Sequence, residues 1–156
     1  MRKVFLTFFY SGLLPKAPGT WGSIAGAIVG YFILKYLGLQ TLFLLTILIS
    51  IVAIKEIDMY EKEVGIHDSS EIVIDEVAGV WLAFCISGAT TLQLIFGVIF
   101  FRIFDIWKPS IIGRIDRDVN GGLGVMGDDL LAGIFAGILS GMAYMVWEKF
   151  GSFVFG

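Results

Sequence analysis

The chain has 156 residues, of which 57% are hydrophobic and 16% charged, and its mean hydropathy is +0.87. A soluble domain of this size carries about 25% charged residues to face water, so the composition argues against one. The net charge of −3 offers no basic surface for nucleic acid, and the lone cysteine, Cys85, rules out a disulfide framework and reads as a buried, inert thiol.

Nearly all charges fall in three polar stretches, 1–20, 55–76 and 102–129. In the first, Arg2 and Lys3 precede apolar residues, but Pro15, Lys16 and Pro18 interrupt before any long apolar core, which does not fit a cleaved signal peptide. The run Leu14-Pro15-Lys16-Ala17-Pro18-Gly19-Thr20-Trp21 predicts a rigid turn with Thr20 capping the first helix. The 34 residues of 21–54 carry one charge, Lys35. They are too many for a single span of ~20 residues and enough for two short, tilted ones, with a turn at Tyr36-Leu37-Gly38-Leu39-Gln40-Thr41. The second polar stretch holds Glu56, Asp58, Glu61, Glu63, His67 and Asp68 and reads as a solvated face. No residue of 77–101 is charged, and Ser87-Gly88-Ala89-Thr90-Thr91 interrupts it where a hairpin turn would fall; one continuous span is the alternative. A last span covers about 130–147.

The predicted fold is all-α: a polytopic membrane helix bundle of about five helices, two short hairpins plus a C-terminal span, in a single domain over 1–156. With both hairpins, the polar stretches share one membrane face. That face then holds nine of the eleven basic residues, Lys35 and Lys149 being the others, which makes it cytoplasmic. Trp21, Trp107 and Trp147, and less clearly Trp81, fall near span ends as interfacial aromatics do.

Two acidic doublets open apolar helices, Asp75-Glu76 before Val77 and Asp128-Asp129 before Leu130. Capping and the helix dipole account for one such doublet. Two of them call for more, because a carboxylate costs ~2.5–3.5 kcal/mol at mid-membrane, less near the interface. Steps of four from Asp75 give Gly79, Ala83 and Ser87; steps of four from Asp129 give Gly133, Gly137 and Gly141. Each helix therefore carries a strip of small residues tipped by an acid. Such strips let membrane helices pack closely, although Gly22, Gly26 and Gly30 form one with no acid attached, so glycines alone mean only packing. If the two acid-tipped strips meet, their carboxylates converge and need a cation to stay ionised. Hard oxygen donors select Mg²⁺ or a similar ion.

Arg102, Asp105 and Lys108 stand three apart on one helical face that Pro109 ends. A surface salt-bridge ladder is the plainer reading; an acid between two bases at a membrane edge also suits a metal-bridged phosphate. Lys16 is either a phosphate ligand or a lipid-facing anchor, and Gly121-Gly122-Leu123-Gly124 gives weak support to an anion-binding turn. Other phosphatase arrangements are missing. One histidine cannot serve a two-histidine mechanism, Thr91 rather than arginine stands six residues after Cys85, and Asp116-Arg117-Asp118 lacks the strand pattern of an aspartyl-phosphatase motif. Metal-assisted phosphoryl chemistry remains. The competing readings are a small membrane cation transporter or channel using the clustered acids, which predicts acids at midspan, and a non-catalytic protein that dimerises through its glycine strips. A homo-oligomer is left open.

The motifs Leu14-Pro15-Lys16-Ala17-Pro18-Gly19-Thr20-Trp21-Gly22, Asp75-Glu76-Val77-Ala78-Gly79, Phe101-Arg102-Ile103-Phe104-Asp105-Ile106-Trp107-Lys108-Pro109 and Gly121-Gly122-Leu123-Gly124-Val125-Met126-Gly127-Asp128-Asp129-Leu130-Leu131-Ala132-Gly133 together resemble the phosphatidylglycerophosphatase A family. The resemblance runs the length of the chain. It implies a Mg²⁺-dependent phosphatase of the bacterial inner membrane that removes the terminal phosphate of phosphatidylglycerophosphate to give phosphatidylglycerol. It carries onto Asp75, Glu76, Asp105, Lys108, Asp128 and Asp129. The roles we expect are Mg²⁺ held by Asp75, Glu76, Asp128 and Asp129, with Asp105 completing the set. Asp75, Asp105 and Asp129 are then catalytic, and Lys16, Arg102 and Lys108 face the phosphates of a membrane phospholipid substrate. Gly127 departs from the pattern, which places a larger apolar residue there.

Overall fold

The computed structural model describes residues 2–65 and 69–155, with side chains to 150; His67 and Asp68 lie outside the described residues. Every regular element among those described is helical. In chain order these are α1 (Arg2–Leu6), a 3-10 turn at Ser11–Leu13, α2 (Pro18–Val64), α3 (Ile74–Ser87), α4 (Thr91–Trp107), α5 (Ile111–Asp118) and α6 (Gly122–Phe155).

α2 is two helices joined at Gly38, whose φ of 85° and ψ of 170° leave the helical region; only glycine takes that conformation at little cost. Contacts on either side show that the chain reverses there. Along the first arm, 18–37, Gly22, Gly26 and Gly30 face Val73, Val77 and Trp81 of the α3 segment in that order. Along the second arm, 39–64, Thr46 lies beside Cys85 and Ile54 beside Gly122, so this arm runs back toward the start of α3 and α6. The turn expected over 36–41 thus contracts to one residue.

The uncharged 77–101 segment also folds back on itself. Gly88, at φ 107°, ends α3, and Thr90 opens α4 with a reciprocal cap: its hydroxyl accepts from the Gln93 N–H while the Gln93 side chain accepts from the Thr90 N–H. α4 then runs antiparallel to α3, with Gly97 opposite Phe84 and Phe101 against Gly79.

α6 lies alongside α3 in the same direction, small residue on small residue. A Cβ placed on Gly133 would fall on the Gly79 carbonyl, one on Gly79 would come within 2.7 Å of the Asp129 carbonyl, and one on Gly137 within 2.8 Å of the Ala83 carbonyl. Only backbone can occupy that seam. α3 is consequently the central helix, with Val77, Ala78, Val80 and Ala83 wholly buried.

Several details differ from the sequence reading. α2 begins on Pro18 with Ala17 before it, and no side chain caps it; proline at the first helical position needs no partner for its missing N–H, so Thr20 is released for other use. α6 starts at Gly122, about two turns before the span expected from 130, which places Asp128 and Asp129 inside the helix. Trp81 is buried rather than interfacial, its indole N–H donating to the Gly26 carbonyl at 2.7 Å. Cys85 is only half-buried. The short α1 and α5 add to the five long helical segments.

The outside of this bundle is apolar. Ile28, Leu44, Ile51, Ile99, Met145 and Val146 are exposed, an unfavourable exterior in water, and α2 and α6 each contain an apolar run long enough to cross a bilayer. Both reversals, at Gly38 and Gly88, lie at one end. The starts of α3 and α6 and the C-terminal ends of α4 and of the second arm of α2 lie at the other, and there the charges gather.

Candidate active site

Four helices deliver side chains to this charged end. The first turn of α3 carries Asp75 and Glu76. The last turns of α4 carry Arg102 and Asp105. Lys108 follows α4 in a left-handed conformation, φ 43°, which swings it off the helix face shared by Arg102 and Asp105. α6 supplies Asp128 and Asp129, both 3% exposed. The position of α6 is fixed from outside the cluster: Asp58, on the second arm of α2, accepts a hydrogen bond from the Gly122 N–H at 2.7 Å. Glycine N–H groups at 121–124 were expected to meet an anion; the anion is the protein's own carboxylate. Reading Asp58 as part of a solvated face missed this, and only its spacing of two from Glu56 and three from Glu61 on the same acidic helix was visible in the sequence.

Asp75, Glu76 and Asp129 present carboxylate oxygens that all lie within 4.8 Å of one another. They line a cavity of about 340 Å³ together with Asp105, Asp128, Arg102 and Lys108. Five carboxylates against two cations leave the cavity strongly negative, and crowded carboxylates stay ionised only with added positive charge. One Glu76 oxygen and one Asp128 oxygen are buried without a hydrogen-bond donor. Hard, unsatisfied oxygens on separate helices form the donor set that Mg²⁺ takes, so the residues present fit a divalent cation. Gly19 makes room for this: a side chain there would strike Glu76 and come within 3.2 Å of the Arg102 guanidinium.

Arg102 ties the cluster together. It donates to Asp105, stands 3.9 Å from a Glu76 oxygen, and reaches Thr20 at 3.4 Å and Ser23 at 3.5 Å on α2. Its Nε is buried without an acceptor. Lys108 donates to Asp128 at 2.7 Å and to Asp116 on α5. Burial opposes the Lys108 ammonium, but Asp116 and Asp128 outweigh it, so its pKa is raised above the ordinary lysine value. Asp116, set aside in the sequence as part of a discounted motif, is therefore the residue that holds Lys108 from the solvent side. Of the expected site residues, the structure brings together Asp75, Glu76, Arg102, Asp105, Lys108, Asp128 and Asp129. Lys16 is exposed and does not line the cavity, although the next three residues, 17–19, do.

Residues 4–144 match the family model described as Phosphatidylglycerophosphatase A. Two relatives bear that name: one from Escherichia coli, 39% identical over 84% of this chain and 77% of its own length, and one from Haemophilus influenzae, 38% identical over 84% of this chain and 81% of its own. A Bacteroides thetaiotaomicron protein named "Putative phosphatidylinositol-3-phosphatase" is 37% identical over 90% of this chain and 91% of its own length. No solved structure matches the chain. An apolar helical bundle with this acid–base cavity, carried by a sequence with these relatives, is a membrane phosphoric monoester hydrolase. The chain belongs to the phosphatidylglycerophosphatase A family.

Proposed function

We propose that this protein hydrolyses the terminal phosphate monoester of phosphatidylglycerophosphate to phosphatidylglycerol and inorganic phosphate. It would act at the cytoplasmic face of a bacterial inner membrane that its helices cross several times. The observation that carries the reading is the convergence of Asp75, Glu76 and Asp129 oxygens within 4.8 Å in a cavity that also presents Arg102 and Lys108. An acid cluster alone would suit a cation carrier, but acids and guanidinium together at one end of the bundle suit a phosphate.

Asp75, Glu76 and Asp129 are the residues that would hold Mg²⁺, with Asp105 and Asp128 at the margin. Bound there, the ion supplies Lewis-acid polarisation of a phosphoryl oxygen and activation of water. The chain's own groups do the rest. Arg102, with an unpaired Nε and a guanidinium already oriented by Asp105, neutralises the substrate phosphates. Lys108, anchored between Asp116 and Asp128, keeps a positive charge at the cavity wall. Lys16, outside the lining, meets the headgroup on entry. No covalent phosphoenzyme is required.

The test is phosphate release from phosphatidylglycerophosphate by the purified protein, with and without a chelator, beside phosphatidylinositol 3-phosphate. Release that stops with chelator and returns with Mg²⁺ supports the reading. Unchanged release with chelator removes the metal from it, and release from the inositol lipid alone replaces the substrate.

A further inference from the structure

The polar cavity is bounded on one side by α2 and α4, and these two helices part again below it. A second cavity, of about 330 Å³, opens between them and is lined by apolar side chains that include Ala27, Ile28, Phe32, Leu94, Ile95 and Val98. Ile28, Phe32 and Ile95 are about half exposed, so the groove faces outward along the bundle's apolar surface. Its floor is Phe84 of α3. The two cavities lie on one line. From Gly19 in the polar cavity to Ile28 in the groove, α2 rises by ~14 Å at 1.5 Å per residue. One leaflet of a ~30 Å hydrocarbon core has a depth of ~15 Å. Where the line passes from polar to apolar, Arg102 reaches across the seam from α4 to Thr20 and Ser23 of α2, carrying a buried N–H with no acceptor.

A polar cavity suited to phosphate, a cation at its lower rim and an apolar groove one leaflet deep beneath it match the parts of a diacyl phospholipid in order. We propose that the groove between α2 and α4 is the acyl-chain site of the substrate, so that the lipid enters sideways along this seam with one chain in the groove and its phosphates above Arg102. This rests on the reading of the polar cavity as a lipid-phosphate site. The occupant is one acyl chain of the substrate rather than a second copy of the protein, because the same two helices line the groove and, about one leaflet away, the cavity that takes the headgroup of that molecule.

The experiment places the protein in phosphatidylcholine vesicles with a small fraction of phosphatidylglycerophosphate carrying a photoreactive diazirine near the end of one acyl chain. Cross-linked peptides are mapped after irradiation, and phosphate release is measured on the same vesicles. Adducts should concentrate on 27–32 and 91–98, and unlabelled phosphatidylglycerophosphate should compete them away. Ile95→Trp, which fills the groove from an exposed position, should weaken labelling there by about ten-fold, while Ile51→Trp on the far arm of α2 should not change it. Adducts spread evenly over the exposed faces, or groove adducts that unlabelled phosphatidylglycerophosphate does not compete away, overturn the proposal. Phosphate release together with evenly spread adducts rejects the groove alone; adducts confined to the groove without phosphate release reject the reaction and leave the groove standing.

Discussion

Two seams descend from the acid cavity, and they are built in opposite ways. Between α3 and α6, glycine faces backbone, so that no side chain separates the helices at Gly79 and Gly133. Between α2 and α4, Ala27 and Val98 line a common open cavity, and a Cβ added to α4's own glycine, Gly97, would meet Phe84 at an ordinary 3.6 Å. Small residues therefore do not by themselves close a membrane-helix interface; what stands opposite them decides. The closed seam sets the distance between Asp75 and Asp129. The open one leaves a way in.

Changes to the closed seam should have the largest effects. In Gly133→Val the added side chain falls on the Gly79 carbonyl, and since that neighbour is backbone the helices must separate; we expect a loss above ~3 kcal/mol, seen as failure to recover folded protein in detergent. Normal yield and melting would break the description of this seam as side-chain-free. Lys108→Met leaves Asp128, whose side chain is 4% exposed, buried beside the other acids. A cost of about 3 kcal/mol follows, and a thermal melt identical to the parent would show that Lys108 holds nothing in place.

Asp129→Asn separates function from stability. It removes one of the proposed metal donors, so phosphate release should fall by at least ~100-fold, yet it also relieves crowding of like charges, so the melting temperature should hold or rise. Retained activity would detach Asp129 from the cavity chemistry. The smallest effect belongs to the clamp on α6: Asp58→Ala should cost ~1 kcal/mol as a lost cap, with a modest fall in turnover as Asp128 and Asp129 lose their fixed position. A melt unchanged by this substitution would show that the α3–α6 glycines alone hold α6.

The architecture was legible in the sequence because it rests on patterns with a fixed period. Charge-poor runs interrupted at Gly38 and at Gly88 predicted two reversals, and both are present. Steps of four from Asp75 and Asp129 mark two strips of small residues that bring the carboxylates together only if they meet, and the strips do meet. Local detail was less visible because tertiary partners override short-range signals. Thr20 had a capping residue's position, but Pro18 starts the helix and Arg102 claims the hydroxyl. Trp81 had an interfacial tryptophan's composition context, but a carbonyl of the neighbouring helix at Gly26 satisfies its N–H. Asp58 and Asp116 escaped notice for a different reason: their partners, Gly122 and Lys108, lie 64 and 8 residues away, and nothing in a single sequence pairs an acid with one distant donor rather than another.

The dependence of the acid cluster on the α3–α6 seam bears on how the protein is made. Asp75 and Glu76 emerge from the ribosome well before Asp129, and they share a cavity with it only once the last helix has slid into place beside the first half of the second hairpin. On the proposed function, a chain whose last helix has not yet packed holds only part of the acid cluster, and hydrolytic competence would wait for that packing.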